Sequence, residues 1–217
     1  MKLNEEEIIN CKTIIVGNSG VGKTSIIGRY LGKYNPCEKP TIGAAFTNRL
    51  ASINNKQILF EIWDTAGQEK YRSINSIFYQ DAYICILVYD ITNKKSFEDL
   101  KEYWHNSVLE TGPEDIIFHI VGNKIDLYDK EEVDRNDVDN YCKEINADVS
   151  FVSTKDENNS YIDRLFNKLG EKFINSEKFK KKEELSKKNK MESSKKLGNN
   201  DEKKMNSKRK NVVEIIN

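Results

Sequence analysis

Gly17-Asn18-Ser19-Gly20-Val21-Gly22-Lys23-Thr24 fits the pattern G-x-x-x-x-G-K-S/T, a loop that cradles phosphate. The apolar run Thr13-Ile14-Ile15-Val16 before it reads as a buried strand, and Ser25-Ile26-Ile27 after it as the start of a helix. Such a loop needs that setting. Glycines let the backbone approach an anion closely, and a new helix aims unpaired N–H groups at it. Lys23 is expected to reach the β- and γ-phosphates, and the Thr24 hydroxyl to ligate Mg²⁺. Ser19, Gly20, Val21, Gly22 and Ser25 are expected to complete the cradle.

Further along the chain, residues 46–53 and 57–64 are extended runs separated by Asn54-Asn55, the pattern of an antiparallel hairpin. Residues 82–89 (AYICILVY) are nearly all apolar, as a strand buried on both faces should be. Residues 116–121 look similar, and 149–152 form a shorter version. Helical spacing of apolar residues marks 96–109, 136–145 and 161–174. Strands alternating with helices predict an α/β fold. This is the P-loop NTPase arrangement: a mostly parallel six-stranded sheet flanked by helices. Ligands of such sheets bind outside the carboxyl ends of the strands, where the phosphate loop leaves.

The 217 residues carry 35 Lys/Arg and 35 Asp/Glu, unevenly spread. Residues 178–217 hold fourteen bases and six acids, a net of +8, which leaves −8 on the rest. The folded domain is expected to cover 1–175. Residues 176–217 are expected to be a disordered, Lys-rich tail, with too few large apolar side chains to offset ordering entropy. Such a tail is either a solvated extension or a weak electrostatic contact with anionic membranes. Nucleic acid is not expected as a partner. The four cysteines form no C-x-x-C pair, no signal peptide opens the chain, and no apolar run approaches the ~20 residues of a membrane span. A cytoplasmic protein is expected, with peripheral residence on the cytosolic face of endomembranes as an option. His105 and His119 have no ligand-like neighbours in sequence and read as structural.

A phosphate loop alone fits kinases, ATPases and GTPases. Asn123-Lys124-Ile125-Asp126 closes the strand at 116–121 with N-K-x-D. A carboxylate in the plane of the base can accept from the N1–H and exocyclic amine of guanine together, a pattern adenine lacks. Asp64-Thr65-Ala66-Gly67-Gln68 follows another strand. Asp64 is placed to hold Mg²⁺ through its hydration shell, Gly67 to offer an N–H to the γ-phosphate, and Gln68 to orient the attacking water.

With these residues in order, the chain resembles the Ras-like small GTPases over about residues 8–175, and within them the Rabs. The Rab-type stretches are Ile42-Gly43-Ala44-Ala45-Phe46, Leu59-Phe60-Glu61-Ile62-Trp63, Lys70-Tyr71-Arg72-Ser73-Ile74, Phe78-Tyr79-Gln80-Asp81-Ala82 and Leu87-Val88-Tyr89-Asp90-Ile91-Thr92-Asn93. The Ala44-Ala45 pair is similar to the endosomal subgroup. The resemblance implies that Thr41 ligates Mg²⁺ and senses the γ-phosphate, and that Tyr34 packs against guanine. It implies that Ser153-Thr154-Lys155 contacts the base, with Thr154 where Ala is usual. It also implies an effector-reading aromatic triad of Phe46, Trp63 and Phe78, although Trp63 reads equally well as core. Rabs usually end in cysteines that are prenylated. The last cysteine here is Cys142, so no prenyl group is expected at the terminus as written. The implied activity is a GTP/GDP switch that hydrolyses GTP slowly and works with effectors, exchange factors and activating proteins in membrane traffic. The alternative is a nucleotide-holding scaffold that barely cycles.

Overall fold

Six strands build one sheet in a computed structural model that describes residues 8–68, 72–157 and 160–184. They are β1 (Ile8–Val16), β2 (Ala44–Ile53), β3 (Lys56–Thr65), β4 (Ile84–Asp90), β5 (Ile117–Asn123) and β6 (Asp148–Val152). The strand order is β2-β3-β1-β4-β5-β6, parallel except for the β2–β3 hairpin. The hairpin turns on Asn54 (φ 49°) and Asn55 (φ 60°). Two consecutive left-handed residues match the twist of the flanking strands, and asparagine tolerates that region. All seven residues of β4 are buried, which explains its unbroken apolar run.

Helices α1 (Lys23–Tyr30), α2 (Arg72–Tyr79), α3 (Lys94–Asp99), α4 (Asn106–Thr111), α5 (Arg135–Glu144) and α6 (Ser160–Asn175) flank the sheet. α2 is not marked by the sequence reading, because its few apolar residues are too short a window for a clear period. The helix expected at 96–109 is not uniform. Leu100–His105, between α3 and α4, is π-helical. α3 starts on Asn93, whose side chain accepts from the Ser96 N–H, and α5 on Asp134, whose side chain accepts from the Asn136 N–H. Both satisfy donors that a helix leaves open at its start. Trp104, Tyr79, Tyr89, Phe60 and Phe166 are among the largest fully buried side chains. Burial of each such side chain contributes on the order of 1.5–3 kcal/mol.

Residues Met1–Phe173 form one compact unit and Ile174–Asn217 a second. In the second, residues 177–184 are helical, which corrects the expectation that the tail lacks structure from 176 onward. Lys and Glu are good helix formers, so a charged composition does not by itself exclude a helix. Residues 185–217, most of the basic tail, lie outside the described residues. Among the described residues no helix is long and apolar enough to cross a membrane. Cys11, Cys37, Cys85 and Cys142 are free thiols, and Cys37 alone of the four is exposed.

Both histidines have structural settings. His105 Nδ1 and the Tyr141 hydroxyl are 2.9 Å apart, as are His119 Nε2 and Ser150 Oγ. His119 is fully buried, and burial, reinforced by the Lys168 ammonium, pushes its pKa down to about 3. Its imidazole therefore stays neutral in the fold, whereas in the unfolded chain it charges below about 6.5. The unfolded state then binds the extra proton, so stability is lost as pH falls from about 6.5 towards 3. This one group is expected to remove about 2–3 kcal/mol between pH 7 and 4.5. Denaturant unfolding of His119→Gln at both pH values checks it: the variant should lose less than wild type by that margin. Equal losses would assign the acid sensitivity elsewhere.

Candidate functional site

The carboxyl ends of β1, β3, β4, β5 and β6 deliver Gly17, Ala66, Ile91, Lys124 and Ser153 to one edge of the sheet. Strand register sets the spacing. Ile15 pairs with Asp64, Asp90 with Asn123, and Asn123 with Val152. A cleft of about 220 Å³ opens there, lined by Ser19, Gly20, Gly22, Lys23, Thr24, Ser25, Thr41 and Gly67 among others. α1 starts on Gly22, which has no side chain to cap it, so the first-turn N–H groups are left for a ligand.

Lys23 is buried, and its Nζ donates to Gly17 O at 2.8 Å and Asn18 O at 3.0 Å. Burial lowers its pKa to about 8, with the Asp64 carboxylate pulling the other way. Gly67 lies so close to the loop that a Cβ there would stand 2.4 Å from Ser19 N and 2.5 Å from Lys23 Nζ. Its carbonyl accepts from Ser19 N at 3.1 Å. Gln68 follows, half-buried.

Three oxygen-bearing side chains from three separate segments meet beside Lys23. Thr24 Oγ1 donates to Asp64 Oδ2 at 2.5 Å, Thr41 Oγ1 to the same oxygen at 3.3 Å, and the two hydroxyls are 2.9 Å apart. Burial pushes the Asp64 carboxyl above the usual carboxylate range, while Thr24, Lys23 and Thr41 pull it back. Its Oδ1 is buried and has no hydrogen-bond partner among the described residues. A buried acceptor without a donor is costly. Hard oxygen donors around an unsatisfied carboxylate suit Mg²⁺, which favours one or two carboxylates and retained waters.

The residues expected to read the base come together at the β5 and β6 ends. Ser153 Oγ donates to Asp126 Oδ1 at 2.6 Å, and Lys155 Nζ lies 3.6 Å from Asp126 Oδ2. Ser153 Oγ also accepts from the Lys155 N–H at 3.2 Å. Asn123 is fully buried and donates through Nδ2 to Val21 O at 2.8 Å, tying this loop to the phosphate loop. Lys124 is left-handed (φ 70°) and pairs with Asp90 Oδ2 at 2.5 Å. Arg29 is a site residue the sequence reading missed. Its Nε donates to Thr154 O at 2.6 Å, and its guanidinium stands 3.8 Å from the Tyr34 ring centre. No motif marks Arg29, since it is simply one more polar residue on α1. The aromatics Phe46, Trp63 and Phe78 touch in series, each step 5.1 Å between centroids. Phe46 is 52% exposed, whereas Trp63 is partly buried and packs against the core while touching Phe46 and Phe78, so it shares both the core and the surface settings.

A phosphate loop after the first strand of a six-stranded, mostly parallel sheet defines the class of P-loop nucleotide-binding proteins. The Ras family model matches residues 12–175. The chain is 37% identical over 174 residues to "Ras-related protein Rab-7a" of Paramecium octaurelia, covering 77% of this chain and 82% of the relative. It is 38% identical over 162 residues to "Ras-related protein Rab-22A" of Homo sapiens, covering 74% and 82%. It is 35% identical over 172 residues to "Ypt/Rab-type GTPase Rab7" of Gibberella zeae, covering 77% and 83%. The chain belongs to the Ras family and, within it, to the Rab-type small GTPases. It is a GTP-binding switch of membrane traffic that works with regulator and effector proteins.

Proposed function

We propose that the protein hydrolyses bound GTP to GDP slowly and that this step ends effector binding on endosomal membranes. The observation that carries the reading is the meeting of Thr24, Thr41 and Asp64 oxygens beside Lys23 and Gly67. Lys23 and the N–H groups of residues 19–25 hold the phosphates. Gly67 offers its N–H to the γ-phosphate, and Gln68 orients the attacking water. Thr24 and Thr41 would ligate Mg²⁺ and Asp64 would hold it through its hydration shell, and the ion would supply positive charge against the phosphate oxygens. Asp126, Asn123, Lys124, Ser153, Thr154 and Lys155 select guanine, and Tyr34 covers it. Thr41 and Gly67 couple the γ-phosphate to their loops, which relax when it leaves. The fold proper is proposed to end near residue 175.

Unassisted hydrolysis is expected on the order of 10⁻⁴ s⁻¹, with an activating protein required for physiological rates. Gln68→Leu is expected to hydrolyse GTP at least about tenfold more slowly in single turnover, with or without an activating protein, because the water loses its orienting partner. Rates equal to wild type in both conditions would remove Gln68 from the mechanism. A wild type with no hydrolysis in either condition would favour the scaffold reading.

Effector binding is proposed on Phe46, Trp63 and Phe78. Proteins recovered on GTP-analogue-loaded protein should be absent from GDP-loaded protein and lost with Trp63→Ala. That variant must still bind nucleotide, since Trp63 also packs on the core. The same partners in both nucleotide states would contradict a switch.

A further inference from the structure

Asn18, the second residue of the phosphate loop, is gripped at both ends of its carboxamide. Its Nδ2 donates to Asp99 Oδ2 at 2.7 Å, and its Oδ1 accepts from Trp104 Nε1 at 2.8 Å. A carboxylate can only accept and an indole N–H can only donate, so the pair permits one orientation of the amide. Asp99 and Trp104 are five residues apart. On an α-helix that spacing puts two side chains about 140° apart around the axis. The wider i→i+5 turn of a π-helix brings them to one face. Leu100–His105 is π-helical, so the turn occurs where an acceptor and a donor must aim at one amide. Trp104 is fully buried, which fixes the donor in place.

The peptide that Asn18 anchors is the one packed between Lys23 and Gly67. The Asn18 carbonyl accepts from Lys23 Nζ at 3.0 Å, and the next N–H, of Ser19, donates to Gly67 O at 3.1 Å. A Cβ on Gly67 would stand 2.4 Å from the Asn18 carbonyl carbon, so this peptide has little room to move. We infer that Asp99 and Trp104 are positioning residues for nucleotide binding: through Asn18 they hold the 18–19 peptide, and with it Lys23 and Gly67, in the phosphate-binding arrangement. The inference rests on the nucleotide reading of the cleft. Asp99 also pairs with Lys95 Nζ at 2.8 Å, but Lys95 is mostly exposed and that pair adds little.

Exchange of polarity across the Asn18–Asp99 bond tests the role. Release of a fluorescent GDP is followed for wild type, Asn18→Asp, Asp99→Asn and the double variant, with thermal unfolding in parallel. Asn18→Asp sets two carboxylates against each other and should speed release about tenfold. Asp99→Asn keeps an acceptor for Asn18 and should stay within about threefold of wild type. In the double variant the carboxylate at 18 accepts from both Trp104 Nε1 and the amide at 99, so release should return to within about threefold of wild type. A second readout separates positioning from bulk stability. The Trp104 indole N–H resonance, assigned as the signal missing in Trp104→Phe, should shift when GDP is stripped from wild type, and should stay put in Asn18→Ala. Release from the double variant as fast as from Asn18→Asp overturns the inference, as does an indole signal indifferent to nucleotide in wild type. A wild type that holds no GDP removes the nucleotide reading itself. One that holds GDP but shows no rescue removes this inference alone.

Discussion

Asp126→Asn is expected to bind guanine nucleotides at least about 100-fold more weakly than wild type and to gain affinity for xanthine nucleotides. The carboxylate has two oxygens on offer. Ser153 already donates to one at 2.6 Å, and Lys155 lies near the other at 3.6 Å. That arrangement orients the group for the two charge-assisted bonds to the guanine N1–H and amine that the proposed base selection requires. Replacing the carboxylate by an amide leaves one acceptor and introduces a donor facing the guanine amine. Xanthine carries an oxygen at that position, so the new donor finds a partner there. Competition binding with GDP, XDP and ADP, with unfolding midpoints as a control for folding, measures the change. A wild type that binds ADP as well as GDP would falsify the argument for guanine.

The strands were legible because burial on both faces demands unbroken apolar runs, and β4 and β5 show them. The phosphate loop and N-K-x-D were legible because each needs particular residue types at fixed spacing. What was not legible is what tertiary packing decides. The π-helical turn at Leu100–His105 leaves no period in a short window, and its purpose appears only when Asn18 is seen between Asp99 and Trp104. Arg29 gained its role from loops 125 residues away, a proximity no local pattern encodes. The helical residues 177–184 were hidden by composition, since charged residues favour both helix and disorder. Trp63 belongs to both settings, packed on the core and flanked by Phe46 and Phe78, which is why its sequence context alone reads equally either way.

Gly22→Ala is expected to disable both halves of the site at once. Gly22 has φ 99° and ψ 25°, a conformation that alanine adopts only under strain of about 1–3 kcal/mol. The added Cβ would lie 2.1 Å from Asn123 Nδ2. That amide is fully buried and donates to Val21 O at 2.8 Å, so it cannot swing away without leaving two polar groups unpaired. Whichever group yields, the phosphate loop and the loop at residues 123–126 move apart. A combined cost of about 3 kcal/mol would lower the unfolding midpoint by about 6–12 °C. GDP affinity should fall at least about 100-fold, because the same displacement reaches the N–H groups of the cradle and the Asp126 loop together. Asn123→Ala distinguishes clash from strain. Added to Gly22→Ala, it removes the atom the Cβ meets, so the double variant should unfold at a higher temperature than the sum of the single losses requires. Strictly additive midpoints would mean that backbone strain alone acts at Gly22. Unchanged GDP affinity in Gly22→Ala would mean that the loop can follow a second path around phosphate, one in which Gly22 no longer faces Asn123.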